Sequence, residues 1–206
     1  MRVYIYVNAK QTYHHQPQNI RQSMTHSRDR HIIRTMSKDV EKGFGLLMAR
    51  FREPVYWHIR RLVVSHDDAQ DAAQETFIRI FKSIGQLNDD SSLSAWVYRI
   101  ATNEALRLLD RNKTANLSID AADGESFFNL HADEYVDYDD AVTVKLQQAV
   151  LSLPTKQQLA FNMRYYDGLE YDEIARILDS SESSVKANYS IAKQKIIKYM
   201  NLDNRD

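Results

Sequence analysis

"SSESSVKANYSIAKQKI", residues 180–196, decides how this chain is read. Val185, Tyr189, Ala192 and Ile196 recur at spacings of four, three and four, which is one apolar stripe of an α-helix. At roughly 100° per residue, Ser183, Ala187, Ser190 and Gln194 fall farthest from that stripe, with Lys186 and Ile191 at its shoulders. Just upstream, "LEYDEIARILDSS" (169–181) predicts a short helix over about residues 171–178 and a turn of three or four residues. Ile174, Ala175 and Leu178 packed on Val185 and Tyr189 would make the two a helix-turn-helix. The second helix of that motif enters the major groove of DNA. Small residues on its outer face let the backbone approach the bases. Ala187 and Ile191 suit thymine methyls, serine and glutamine suit base edges, and lysine suits guanine or phosphate.

The rest of the chain gives this motif its setting. At 206 residues it holds one large or two small domains, and its net charge is −1. That average hides opposite segments. Residues 1–36 carry six Lys/Arg and one acidic residue, whereas 114–141 carry eight acids and no base. With no cysteine, disulfides and thiolate metal sites are excluded. No apolar run approaches a membrane span, and "MRVYIYVNAK" lacks the features of a signal peptide, so a cytoplasmic protein with no membrane insertion is expected. Five glycines, three prolines and no period-two alternation point to an all-α fold.

Four parts are expected: a disordered, basic and His-rich extension (1–36), a helical bundle (37–113), a flexible acidic linker (114–141) and the helix-turn-helix domain (142–206). The extension shows no helical stripe of useful length, and His14, His15, His26 and His31 have no partners at metal-ligand spacing. Met36, where organised sequence begins, is an alternative start, and the extension is expected to be dispensable. In the bundle, Phe44, Leu47, Met48 and Phe51 mark a first helix that Pro54 ends or kinks. Asp67 is placed to cap the next helix, and Ser91 or Ser92 the one that runs to about Arg111. On that last helix Arg99, Asn103 and Arg107 line one flank at spacings of four, near Trp96 and Tyr98. Basic residues beside aromatics and an amide can grip single-stranded DNA. In the linker "DAADGE" is no calcium loop, because aligning Gly124 with that loop's glycine puts Ile119 and Leu130 where carboxylates must be.

Three blocks, "DDAQDAAQETFIRIFKSIGQL", "SLSAWVYRIATNEALRLLDR" and "LPTKQQLAFNMRYYDGLEYDEIARILDSSESSVKANYSIAKQKI", together resemble an extracytoplasmic-function (ECF) sigma factor of bacterial RNA polymerase. The resemblance spans about residues 37–200. It implies two helical domains, regions 2 and 4, joined by a linker. Asp71, Gln74, Glu75 and Arg79 match the helix that docks on the clamp helices of the polymerase's largest subunit. The resemblance places base capture in the minus-ten element at Asn88, Asp89, Ser91, Ser92 and Asn103, with Trp96, Arg99 and Arg107 beside them. It assigns minus-thirty-five contacts to Lys186, Ala187, Ser190 and Ile191, with Ser183, Ser184 and Lys193 nearby. Arg164 matches a DNA-backbone contact. It also implies three partners: core RNA polymerase (clamp helices and flap), promoter DNA and an anti-sigma factor. The family commonly has arginines where this chain has Ala187, Asn188, Ser190 and Ile191, so the resemblance implies the docking of this helix but not its base preference. An acidic linker beside the family's catalytic cleft would imitate nucleic acid in a positive channel.

The rival reading is a helix-turn-helix regulator that binds duplex DNA without polymerase. An enzyme is excluded because adjacent Ser65, His66 and Asp67 cannot form a relayed triad, and no paired-carboxylate or metal motif survives inspection. No cofactor or metal is expected.

Overall fold

In the computed structural model, which describes residues 18–87, 92–117 and 141–201, the apolar stripes become helices. Among the described residues these are α1 (Gln18–Lys38), α2 (Val40–Val63), α3 (His66–Ser83), α4 (Leu93–Leu117), α5 (Ala141–Leu151), α6 (Thr155–Tyr165), α7 (Tyr171–Ile177) and α8 (Glu182–Met200). One 3-10 turn, Ile84–Gln86, follows α3, and no strand occurs among the described residues. The all-α expectation holds. The chain divides into two compact units, residues 32–136 and residues 137–206 taken with 1–31.

In the unit of residues 32–136, α2, α3 and α4 pack pairwise. Leu47, Phe51, Val55, Ile59 and Leu62 form the buried face of α2. Pro54 neither ends nor divides this helix. An interior proline costs about 3 kcal/mol. Burying the four apolar side chains beyond it, Val55, Ile59, Leu62 and Val63, returns about 1.5–3 kcal/mol each, so the helix continues. Ser65, not Asp67, caps α3, its Oγ accepting from the Asp68 amide at 3.3 Å. Asp67 and Asp68 instead occupy the first turn, where carboxylates favour the helix dipole. Ser92 caps α4, accepting from the Ala95 amide at 3.3 Å. That helix runs on to Leu117, so residues 114–117 of the expected linker are helical. The remainder of the linker, 118–140, lies outside the described residues.

The expectation of a disordered extension through residue 36 fails for its second half. Residues 18–36 lie in α1, where Ile32, Ile33 and Met36 are buried. The signal was a stripe diluted by a polar member: Ile20, Met24, Arg28, Ile32 and Met36 follow one another at spacings of four. A single residue, Asp39, separates α1 from α2 and caps α2 by accepting from the Lys42 amide at 3.0 Å. The connection is so tight that a Cβ on Gly43 would lie 2.5 Å from Met36 Cα.

The C-terminal helices form a second core around Phe161, Met163, Ile174, Val185 and Ile196, all under 2 % exposed. Phe161 stacks on Tyr165 and Tyr189 at centroid distances of 5.0 and 5.9 Å. Gly168, at φ +69°, makes the left-handed turn after α6 as its position predicts. Ile174 and Ala175 are buried as expected, but Ile177 rather than Leu178 completes the inner face of α7. Asn162 is buried inside this core, and neither its Oδ1 nor its Nδ2 has a hydrogen-bond partner.

Candidate nucleic-acid interface

α8 begins at Ser181, whose Oγ accepts from the Ser184 amide at 3.2 Å and lies 3.0 Å from Ser183 Oγ. Val185, Tyr189, Ala192 and Ile196 are buried. Ser183, Lys186, Ala187, Ser190, Ile191 and Gln194 are exposed, with Ser184 and Lys193 half-buried at the edges. The face derived from helical angles is therefore open, and Ile191 presents an apolar side chain there at 41 % exposure.

Two cations near this face are already engaged. Lys186 Nζ lies 2.5 Å from Glu182 Oε1. Its hydrogen bond to that carboxylate, then the carboxylate's charge, raises the ammonium above the usual lysine range. Arg164 is further committed. Its Nη1 donates to the Leu169 carbonyl at 2.8 Å and pairs with Glu170 Oε2 at 3.0 Å. Its guanidinium also lies 4.9 Å from the Tyr171 ring centroid. It staples the turn between α6 and α7, a role with no signal in the spacing of one arginine.

In the other unit Arg99, Asn103 and Arg107 are exposed along one flank of α4 as expected, and Trp96 is half-buried beside them. Tyr98 does not join them. It is buried, edge-on to His58 at 5.1 Å, because its position faces α2. Beneath the flank, Thr102 donates to the Tyr98 carbonyl at 2.7 Å, so its oxygen accepts from His58 Nε2 at 3.0 Å. On the other side, buried Glu104 holds Arg79 Nε and Arg107 Nη2, each at 2.6 Å. Asn88, Asp89 and Ser91 lie outside the described residues, and Ser92 serves as the cap of α4.

On α3, Asp71 and Gln74 are exposed while Glu75 and Arg79 are half-buried and paired at 3.1 Å. Sequence reasoning missed the groove alongside. Phe44, Met48, Gln74, Phe77, Ile78 and Phe81 help line about 860 Å³ of largely apolar space. Phe81 is 52 % exposed and meets Phe44 edge-on at 5.1 Å. A signal existed, since Ile78 sits opposite the buried stripe of Ala69, Ala73, Thr76 and Ile80. Among the described residues no cluster of three or more His, Asp or Glu could hold a metal, and no helix is long and apolar enough to cross a membrane.

Residues 47–114 match the family model described as Sigma-70 region 2, and residues 143–196 match Sigma-70 region 4. The ECF RNA polymerase sigma-E factor of Escherichia coli K12 is 30% identical over 176 residues, covering 82% of this chain and 92% of that protein. The chain belongs to the ECF RNA polymerase sigma factors. The RNA polymerase sigma-H factor of Pseudomonas aeruginosa is 27% identical over 183 residues, or 85% of this sigma factor and 95% of that one. In fold, this sigma factor is similar to CnrH, solved with the cytosolic domain of CnrY. The TM-score is 0.66 at 19% identity, covering 85% of this chain and 99% of that one. It is also similar to RpoE from Bartonella quintana, solved with the anti-sigma factor NepR. There the TM-score is 0.65 at 21% identity, covering 79% and 99%. Two helical units with a sigma region in each make it a promoter-specificity factor of transcription initiation rather than a free-standing helix-turn-helix regulator.

Proposed function

We propose that this sigma factor, acting in the cytoplasm, lends promoter recognition and strand opening to core RNA polymerase through three surfaces and contributes no catalytic chemistry of its own. The exposed side of α3, with Asp71, Gln74, Glu75 and the adjoining apolar groove, docks on the clamp helices of the largest subunit. The flank of Arg99 and Asn103 on α4, with Trp96 and the loop before it, captures a flipped base of the minus-ten element. The outer face of α8 reads the minus-thirty-five duplex while its unit rests on the flap. Residues 37–113 act as region 2 and 142–206 as region 4, with the acidic linker between them. An anti-sigma factor that covers the groove and α8 would block polymerase docking and duplex reading.

The observation that carries this reading is the face of α8. Small residues and Ile191 stand exposed where a helix must lie close to bases, and the stripe behind them is fully buried. Run-off transcription on genomic fragments tests it. Adding the protein to core polymerase should yield promoter-specific transcripts, with a footprint only when core is present. A specific footprint without core would favour the regulator instead.

A further inference from the structure

Asn103 sits between two buried polar anchors, and each ties α4 to a different helix. On one side Thr102 Oγ1 accepts a hydrogen bond from His58 Nε2 of α2. On the other, Glu104 is buried, and its two oxygens are divided between Arg79 of α3 and Arg107 of α4 itself. Arg79 also reaches Glu75, so the ion network runs from the exposed side of α3 to the flank of α4.

A buried carboxylate is costly unless its oxygens are occupied. Two arginines satisfy this one, and both keep much of their surface in solvent at 41 % and 57 % side-chain exposure. They could hydrate on their own. Glu104 could not, so the carboxylate dictates where both guanidinium groups sit. Each contact is a close ion pair through one guanidinium nitrogen, one to each carboxylate oxygen, and together they make the link a strut between α3 and α4. Successive helical residues point roughly 100° apart, so anchoring both neighbours leaves Asn103 one direction, outward.

We infer that Glu104 is a positioning residue for base capture, its carboxylate held by Arg79 and Arg107 so that Asn103 keeps a fixed orientation relative to α3. The inference rests on the reading of Asn103 as the base-capturing amide and goes beyond it. It also reassigns Arg107 and Arg79. Their guanidinium groups serve this strut first, leaving Arg99 as the arginine of the flank not drawn into it.

The test uses the full chain assembled at saturating concentration with core polymerase. The probe is a labelled single-stranded minus-ten oligonucleotide and its counterpart made abasic at the captured position. Asn103→Ala, Glu104→Gln and Glu104→Leu are compared with the parent. Glu104→Leu removes the buried charge and frees the arginines to water, so it should melt within a few degrees of the parent. Both Glu104 variants should nevertheless bind the intact oligonucleotide about ten-fold more weakly, the scale of one lost base-edge contact. Their preference for intact over abasic DNA should shrink toward that of Asn103→Ala. A purely structural glutamate would move melting temperature and leave that preference alone. The inference is overturned if Asn103→Ala loses the preference while both Glu104 variants keep it. If Asn103→Ala itself binds normally, the base-capture reading fails and this inference falls with it.

Discussion

Removing the two isoleucines at the end of α1 is the sharpest test of the fold. Ile32 and Ile33 are 5 % and 4 % exposed, and both fall in the stretch whose sequence looked dispensable. An isoleucine-to-alanine change in a core costs about 2–5 kcal/mol, and the spread reflects how far the site can collapse. These sites lie near a helix end and adjoin one another, so they are expected at the low end and less than additive. Alanine's better helix propensity returns a few tenths of a kcal/mol. The double variant Ile32→Ala/Ile33→Ala should therefore lose about 3–4 kcal/mol against a total of about 5–15 kcal/mol for a typical domain. For a unit of this size that lowers the melting temperature by about 12–25 °C, read by calorimetry or circular dichroism. Arg34→Ala, an exposed change on the same helix, should stay within about 0.5 kcal/mol. A protein beginning at Met36 should fare at least as badly as the double variant. If the double variant melts within 2–3 °C of the parent (about 0.5 kcal/mol), the end of α1 is not part of the folded unit and the reasoning fails.

Two glycines two residues apart on α2 offer a second test. Gly43→Ala should destabilise because its Cβ meets the Met36 backbone, whereas Gly45→Ala, with nothing within 4 Å, should gain about 0.5–1 kcal/mol; urea titration separates them. Asn162→Leu should stabilise by about 1 kcal/mol, since it removes a buried amide with no partner, and a fall in melting temperature would mean that the amide is satisfied after all. On α8, Ala187→Glu should abolish binding of holoenzyme to a minus-thirty-five duplex while Asn188→Ala, whose Nδ2 returns to Ser184 of its own helix, is tolerated. Lys186→Ala should lower the salt slope by less than about one counterion, because Glu182 already neutralises part of its charge. The reverse ranking of Ala187→Glu and Asn188→Ala in a filter-binding assay would mean that the helix has been rotated wrongly.

What could be read in advance followed from periodicity. The inner stripe of α8 and its exposed face need only the helical angle, and both were legible from seventeen residues. Asn103 and Arg99 were placed by the same rule. Pairing partners were not legible, because Glu104 meets Arg79 across two helices and twenty-five positions of sequence. Arg107 therefore looked like a free cation, and Tyr98 like a platform, until the neighbouring helices were in place. The helix at 18–38 was missed for another reason. Arg28 interrupts its stripe, and a polar, His-rich composition masks what three buried apolar residues at one end decide. At Pro54 an end and a kink were both open, and tertiary burial rules out the end, since the helix runs on through the proline. The groove at Phe44 and Phe81 was signalled only by an apolar residue on the wrong side of its helix.

The one-residue connection at Asp39 also limits how the first helix can move. One connecting residue and a Cβ-free contact at Gly43 leave no slack for a hinge. Residues 32–38 cannot swing away as a rigid rod while the opening turn of α2 stays wound. Separation must instead proceed by unwinding, so the amides on both sides of Asp39 should lose hydrogen-exchange protection together, as one cooperative opening. A partner that gains access beneath this helix would then act by trapping a melted segment, and its association rate would be capped by the frequency of that melting.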